Sequence, residues 1–168
     1  MITVTDPIPG SEIYPSSRDA SFCDAYRISV PPNHDPMLKL AMQVMGSTPA
    51  WVEFLMSCRN KIVSLLGLKN LGAMSNLNRT KPLEAYAIGD RIGIFTLVYL
   101  AQDEVIMGDN DKHLNVQVSI YRQHTPQGCD LTVATVVHNH NWLGRLYMVF
   151  VAPAHKVIVR AMLKRYLQ

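Results

Sequence analysis

Histidines, carboxylates and two arginines are the residues of this 168-residue chain with chemistry to offer. His138 and His140 stand two apart in VVHNHN, so on an extended strand both side chains leave the same face. Joined by His155, or by a carboxylate such as Asp90, they would form a three-ligand metal site. The helical zinc spacing HExxH is absent, and the two histidines equally suit a polar strand end that turns through Asn139, Asn141 and Trp142 into a helix. Asp90-Arg91 and Asp111-His113 would gather as a polar cluster at one end of a sheet. There His113 could act as an acid near neutral pH, or the groups could simply brace turns. Gly144-Arg145 open a long helical stretch. A helix start offers free N–H groups to an anion, and Arg145 could clamp a carboxylate or phosphate. A surface salt bridge from Arg145 to Asp90 or Glu104 is the alternative.

Other chemistries lack their residues. There is no GxGxxG or Walker A loop for a nucleotide and no GxSxG for a hydrolase serine, so no cofactor is expected. Cys23, Cys58 and Cys129 are far apart without a CxxC and read as packing residues in a reducing cytoplasm. A net charge of +3, with basic residues spread along the chain, gives no case for nucleic acid. The start, MITVTDPIPGSEIYPSS, has neither the basic nor the apolar region of a signal peptide. The longest fully apolar run, Leu146 to Ala154, falls short of the ~20 residues that span a bilayer. The expectation is a cytoplasmic protein without a membrane span.

The elements that must position these residues are legible in the periodicity. Residues 1–20, with Pro7, Pro9, Gly10 and Pro15, read as an extended N-terminal arm, and residues 21–168 as one domain. Phe22 to Val30 is a strand ended by Pro31-Pro32. Asp35 caps a first helix with Pro36 at its first position, Leu38, Ala41, Met42 and Met45 inside, and Gly46 as the stop. Thr48-Pro49 starts a second, with Glu53 in its first turn and a buried side at Trp51, Leu55, Ile62 and Leu66. Residues 67–83 are a long connection. Strands follow over 87–100, with Ile92, Ile94, Thr96 and Val98 on one face. After 104–107 comes a turn at Gly108 to Asp111. In 113–122, Leu114, Val116, Val118 and Ile120 oppose His113, Asn115, Gln117, Ser119 and Tyr121. The last strand is 130–140, and these short hairpins make an antiparallel meander. Leu143, Tyr147, Phe150, Ala154, Val157 and Ala161 then trace one helical stripe to Leu167, with Lys156, Arg160 and Lys164 on another face. Pro153 lies inside that helix, where it would either kink it along a curved sheet or break it in two.

The fold class is α+β. One strand, two short helices, a meander and a long last helix resemble the START-like helix-grip fold, in which a curved antiparallel sheet wraps the final helix around a cavity. Ile88-Gly89-Asp90-Arg91 running into Ile94-Phe95 is similar to the bacterial family called domain of unknown function 2867. So are Glu104-Val105, Asp111-Lys112-His113-Leu114, Leu143-Gly144-Arg145-Leu146-Tyr147 and Pro153-Ala154-His155, with Ala154 where a large aromatic is the family's habit. The resemblance covers roughly Ala25 to Leu167. It implies no agreed activity, but its occurrence behind dinucleotide-binding reductase domains implies a metabolic setting.

Three functions follow as expectations. The first is a module binding a small apolar or amphipathic molecule, with Tyr147, Phe150, Val151 and Ala154 in the cavity wall and His113, Tyr121 or Arg145 orienting the ligand. The second is an interaction or regulatory domain, a homo-oligomer or the partner of a reductase, using an apolar patch around Trp51 and Phe54. The third is a cyclase- or hydrolase-like enzyme using the histidines. Nine methionines, several in the helix pair, suit an adaptable apolar pocket or an ordinary core alike.

Overall fold

A computed structural model describes residues 1–65, 72 and 81–168, with the side chains of 62–65 left aside. The expectations placed on the Ile62 side chain, on Leu66 and on most of the 67–83 connection therefore lie outside the described residues.

Seven antiparallel strands make one open sheet: β1 (Ile2–Thr5), β2 (Phe22–Val30), β3 (Arg91–Ile92), β4 (Phe95–Leu100), β5 (Glu104–Asn110), β6 (Leu114–Thr125) and β7 (Gly128–Asn139). Their order is β1-β2-β7-β6-β5-β4-β3, so the meander runs β3 to β7 and the first long strand closes beside the last. β2 pairs with β7 along its whole length, from Phe22 opposite Val137 to Val30 opposite Cys129. The helices are α1 (Tyr14–Ser17), α2 (Met37–Gly46), α3 (Ala50–Leu65) and α4 (Trp142–Tyr166).

Alternation along each strand sends side chains to two different layers. One face buries Tyr26, Ile28, Leu97, Met107, Ile120 and Leu131 against Leu40, Ala41 and Val44 of α2, Val52 of α3, and Met162 and Leu163 of α4. A fully buried leucine such as Leu163 stabilises the fold by about 1.5–3 kcal/mol. The other face carries Ala25, Ile106, Ala134 and Val136, which pack on Ile13.

That second layer corrects the reading of residues 1–20 as an arm. Ile2–Thr5 pairs with β2, and the segment beyond it lies over the sheet. Glu104 anchors it: this buried carboxylate accepts the backbone N–H of Glu12 at 2.6 Å and of Ile13 at 3.4 Å, and the Ser119 hydroxyl at 2.6 Å. The prolines pointed to extended backbone, and extended backbone can join a sheet edge as readily as leave it.

Two strand boundaries also differ. Gly93, at φ +60°, turns the chain between Ile92 and Phe95, so the expected single strand becomes the hairpin β3–β4. Ile92, Ile94, Phe95 and Leu97 are its buried residues, whereas Val98 is exposed. The expected turn at Gly108 lies within β5, because a glycine there lets the neighbouring strand come close: a Cβ would stand 2.7 Å from the Val116 carbonyl.

The helix starts follow a different device from the expected caps. Pro36 precedes α2 and its carbonyl accepts from Lys39 and Leu40, while Asp35 pairs with Lys39 at 3.0 Å instead of capping. Among the described side chains of α3 the buried one is Val52, with Trp51 and Leu55 both 44 % exposed, so the inward face there is rotated from the expected one. α4 is continuous through Pro153. The carbonyl that Pro153 cannot serve belongs to Val149, on an exposed stretch of the helix. Within α4, Gly144, Met148, Met162 and Leu163 are the buried residues, while Phe150 and Val157 of the expected stripe are exposed.

Candidate binding cavity

Between α4, the α2–α3 pair and the inward sheet face lies a cavity of about 600 Å³. β6 contributes Val116, Val118 and Ile120, and β7 contributes Val133, Thr135 and Val137, each set being every second residue of its strand. Val44 and Met45 come from α2, Leu55, Met56 and Arg59 from α3, and Tyr147, Val151, His155 and Ile158 from α4. The lining is overwhelmingly apolar, in the size range of cavities that enclose small molecules.

Polar groups interrupt it at Arg59 of α3 and at two places along the sheet. At the first, β2 directs Phe22, Asp24, Tyr26 and Ile28 to the cavity side of the sheet. The Asp24 side chain is 8 % exposed, and its Oδ2 lies 3.1 Å from His155 Nδ1. A carboxylate only accepts, so Nδ1 carries the proton of the neutral ring and Nε2 presents its lone pair. That Nε2 stands 3.4 Å from the Thr135 hydroxyl, and the edge of Phe22 holds the ring in a T-shaped contact at 5.8 Å. Asp24 Oδ1 is buried with no hydrogen-bond partner among the described residues. Tyr26, whose hydroxyl reaches Asp24 Oδ2 at 3.4 Å, has its pKa raised by burial and then by the Asp24 charge.

At the second, Asp109, Asp111 and His113 join the lining where β5 turns into β6. The Asn141 side-chain oxygen accepts the N–H groups of Leu143 and Gly144, which caps α4, and its amide nitrogen lies 3.0 Å from His113 Nδ1. The same His113 nitrogen lies 3.3 Å from the Asn141 side-chain oxygen, so Asn141 can meet either tautomer of His113. Tyr147 meets α3 nearby: Arg59 Nε donates to its hydroxyl at 3.0 Å.

The structure gathers part of the expected site and disperses the rest. His113, Tyr147, Phe150, Val151, Ala154 and Asp111 line the cavity. Tyr121 does not, because it alternates with the inward Ile120 and so occupies the opposite sheet face. Arg145 is exposed on α4 outside the cavity, and the N–H groups it was expected to share with an anion are taken by Asn141. Asp90 accepts the Ala87 N–H and pairs with Lys81 at 2.7 Å, contacts that lower its pKa in that order, while Glu104 is engaged with the N-terminal segment. Neither is Arg145's partner. Asp90 and Arg91, at the β3 edge, stand apart from His113, whose partner is Asn141.

The three histidines of the expected metal site separate for a topological reason. His138 leaves the outer face of β7 and meets Ser16 of α1 at 3.1 Å. His140 lies beyond the strand end and reaches the Asp111 carbonyl at 3.0 Å, and His155 faces the cavity. Among the described residues, no three metal-binding side chains converge. One arrangement went unread: Cys129 and His124 are opposed across the β6–β7 hairpin, with Sγ 3.6 Å from Nδ1, and His124 Nε2 lies 3.3 Å from Asp103. The Cys129 sulfur is buried beside Asn33, away from the cavity.

α4 also meets the length and composition of a membrane-crossing helix, which the count of consecutive apolar residues could not register because Arg145 and His155 bound the run. Trp142, Leu146, Val149, Phe150 and Val157 are exposed along it, and Trp51 and Phe54 are exposed on α3.

A family model described as a protein of unknown function (DUF2867) matches residues 16–162. No curated protein matches the chain.

Proposed function

The chain belongs to the family of unknown function DUF2867, and from that premise we propose that it binds a small apolar or amphipathic molecule between the sheet and α4. The cavity carries this reading: about 600 Å³ walled mostly by valine, isoleucine, methionine and leucine, with polar groups at two places along the sheet and Arg59 from α3. The helix-grip assignment belongs to the same proposal. What supports it is the strand order, with β2 beside β7, two helices inserted after β2 and a long helix last. A cytoplasmic location, with α4 as a core helix rather than a membrane span, completes the reading and is in keeping with three free cysteines.

The test is titration with the fluorescent apolar probe N-phenyl-1-naphthylamine. Saturable, one-to-one enhancement is expected. Val118→Trp, which places an indole in the cavity, should reduce it at least tenfold while far-ultraviolet dichroism stays unchanged. Enhancement that persists undiminished in that variant, or none in the parent protein, would refute the cavity as the binding site.

A second reading, an interaction domain acting as a homo-oligomer or beside a reductase, draws on the exposed apolar residues. Phe54 is 68 % exposed, Phe150 71 % and Trp142 72 %. Light scattering on the purified chain addresses the homo-oligomer directly. A strictly monomeric mass at every concentration removes it. The enzyme reading, acid–base chemistry on the histidines, draws on the Asp24–His155 pair.

A further inference from the structure

We infer that the Asp24–His155–Thr135 group is the polar anchor of the cavity and that it selects a ligand bearing a hydroxyl, an alcohol or a phenol on an apolar body. The inference rests on the cavity being the binding site and adds the chemistry of what enters it. Asp24 and Phe22 hold the ring from two sides, so His155 is positioned before any ligand arrives. In the neutral ring, with Nδ1–H given to Asp24, the lone pair of Nε2 is the acceptor at the wall. Thr135 satisfies it weakly, since 3.4 Å is at the outer limit of a hydrogen bond. An acceptor facing apolar surroundings is costly to leave unpaired. A ligand hydroxyl donating to Nε2 and accepting from the Thr135 hydroxyl would satisfy both groups at once.

The alternatives fit less well. An ether has no proton for Nε2. A carboxylate has none either, and it would add a second negative charge near Asp24, whose Oδ1 is already buried without a hydrogen-bond partner among the described residues. The rest of the wall on this side is Phe22, Val133 and Val137, which offer only dispersion contacts.

The experiment is displacement of N-phenyl-1-naphthylamine from the full chain by 1-decanol, its methyl ether and decanoate. One hydrogen bond in such a site is worth roughly a three- to tenfold difference in affinity. The parent protein should therefore prefer decanol over the ether by that factor, and decanoate should be the weakest. His155→Phe, which keeps a ring of similar size, should bring alcohol and ether to parity, and Thr135→Val should narrow the gap. Because His155→Phe removes the Asp24 contact and could unfold the chain, nitrogen-15 spectra of the unmodified protein provide a second readout: decanol should shift the His155 Nε2 resonance and the ether should not. Probe bound but displaced equally by alcohol and ether overturns the anchor and leaves the cavity reading standing. A probe that does not bind overturns both.

Discussion

Gly144, in the first turn of α4, packs against the backbone carbonyl of His113, so closely that a Cβ at position 144 would collide with that oxygen. The same carbonyl accepts the His140 N–H at 2.9 Å. The start of the long helix is thereby keyed to the β5–β6 turn, and with it the wall that Tyr147, Val151 and His155 give the cavity. Gly144→Ala should destabilise the fold by about 1–3 kcal/mol, the usual cost of forcing a methyl into a filled space. Chemical denaturation of the variant checks this, and unchanged stability would show that the helix start can shift freely.

Glu104 should prove to be what holds the N-terminal segment on the sheet. Glu104→Gln keeps the shape but turns an acceptor-only group into one that also donates, facing two backbone N–H groups and the Ser119 hydroxyl. A loss of about 1–3 kcal/mol is expected, with faster hydrogen exchange at the Glu12 and Ile13 amides. Exchange at those amides unaltered from the parent protein would contradict the assignment.

Arg122 is 5 % exposed and ties β6 to two other segments: it pairs with Asp103 at 3.0 Å and donates to the carbonyls of Asn33, Asp35 and Gln102. Arg122→Leu should cost at least about 2 kcal/mol, since three carbonyls lose a charged donor. The midpoint of urea unfolding measures it. A neutral result would mean that water replaces the guanidinium without penalty.

Tyr26 and Tyr166 have pKa values raised by burial, with Asp24 adding to the first and Asp35 to the second. In each the folded chain holds its phenol proton more tightly than the unfolded chain does. Their contribution is complete below the ordinary tyrosine value of about 10 and is lost as pH rises through the higher folded values. Thermal stability should fall above pH 10, and Tyr166→Phe should make that fall shallower. An equally steep fall in the variant would assign it to other groups.

Much of the architecture was legible because it rests on local rules. The alternation in 114–121 separated the inward Val116, Val118 and Ile120 from Tyr121, and the same alternation, followed strictly, would have kept Tyr121 out of the candidate site. Asp24 was visible by the same logic: it is the one charged residue on a β2 face otherwise made of Phe22, Tyr26 and Ile28, and a charge on a buried face asks for a partner. What that partner would be was not visible, since His155 lies 131 positions away.

The sequence by itself determined the α+β class, the strand facing that walls the cavity, most element boundaries and the family, because periodicity, turn residues and motif order are properties of neighbouring positions. The tertiary structure alone decided which histidine meets Asp24, which face of α3 and α4 turns inward, and that the first 20 residues join the sheet and cover its outer face. Those outcomes depend on packing between elements distant in the chain. An apolar helix such as α4 has more than one face that could be buried, and the choice falls to whatever the sheet and α2 present to it.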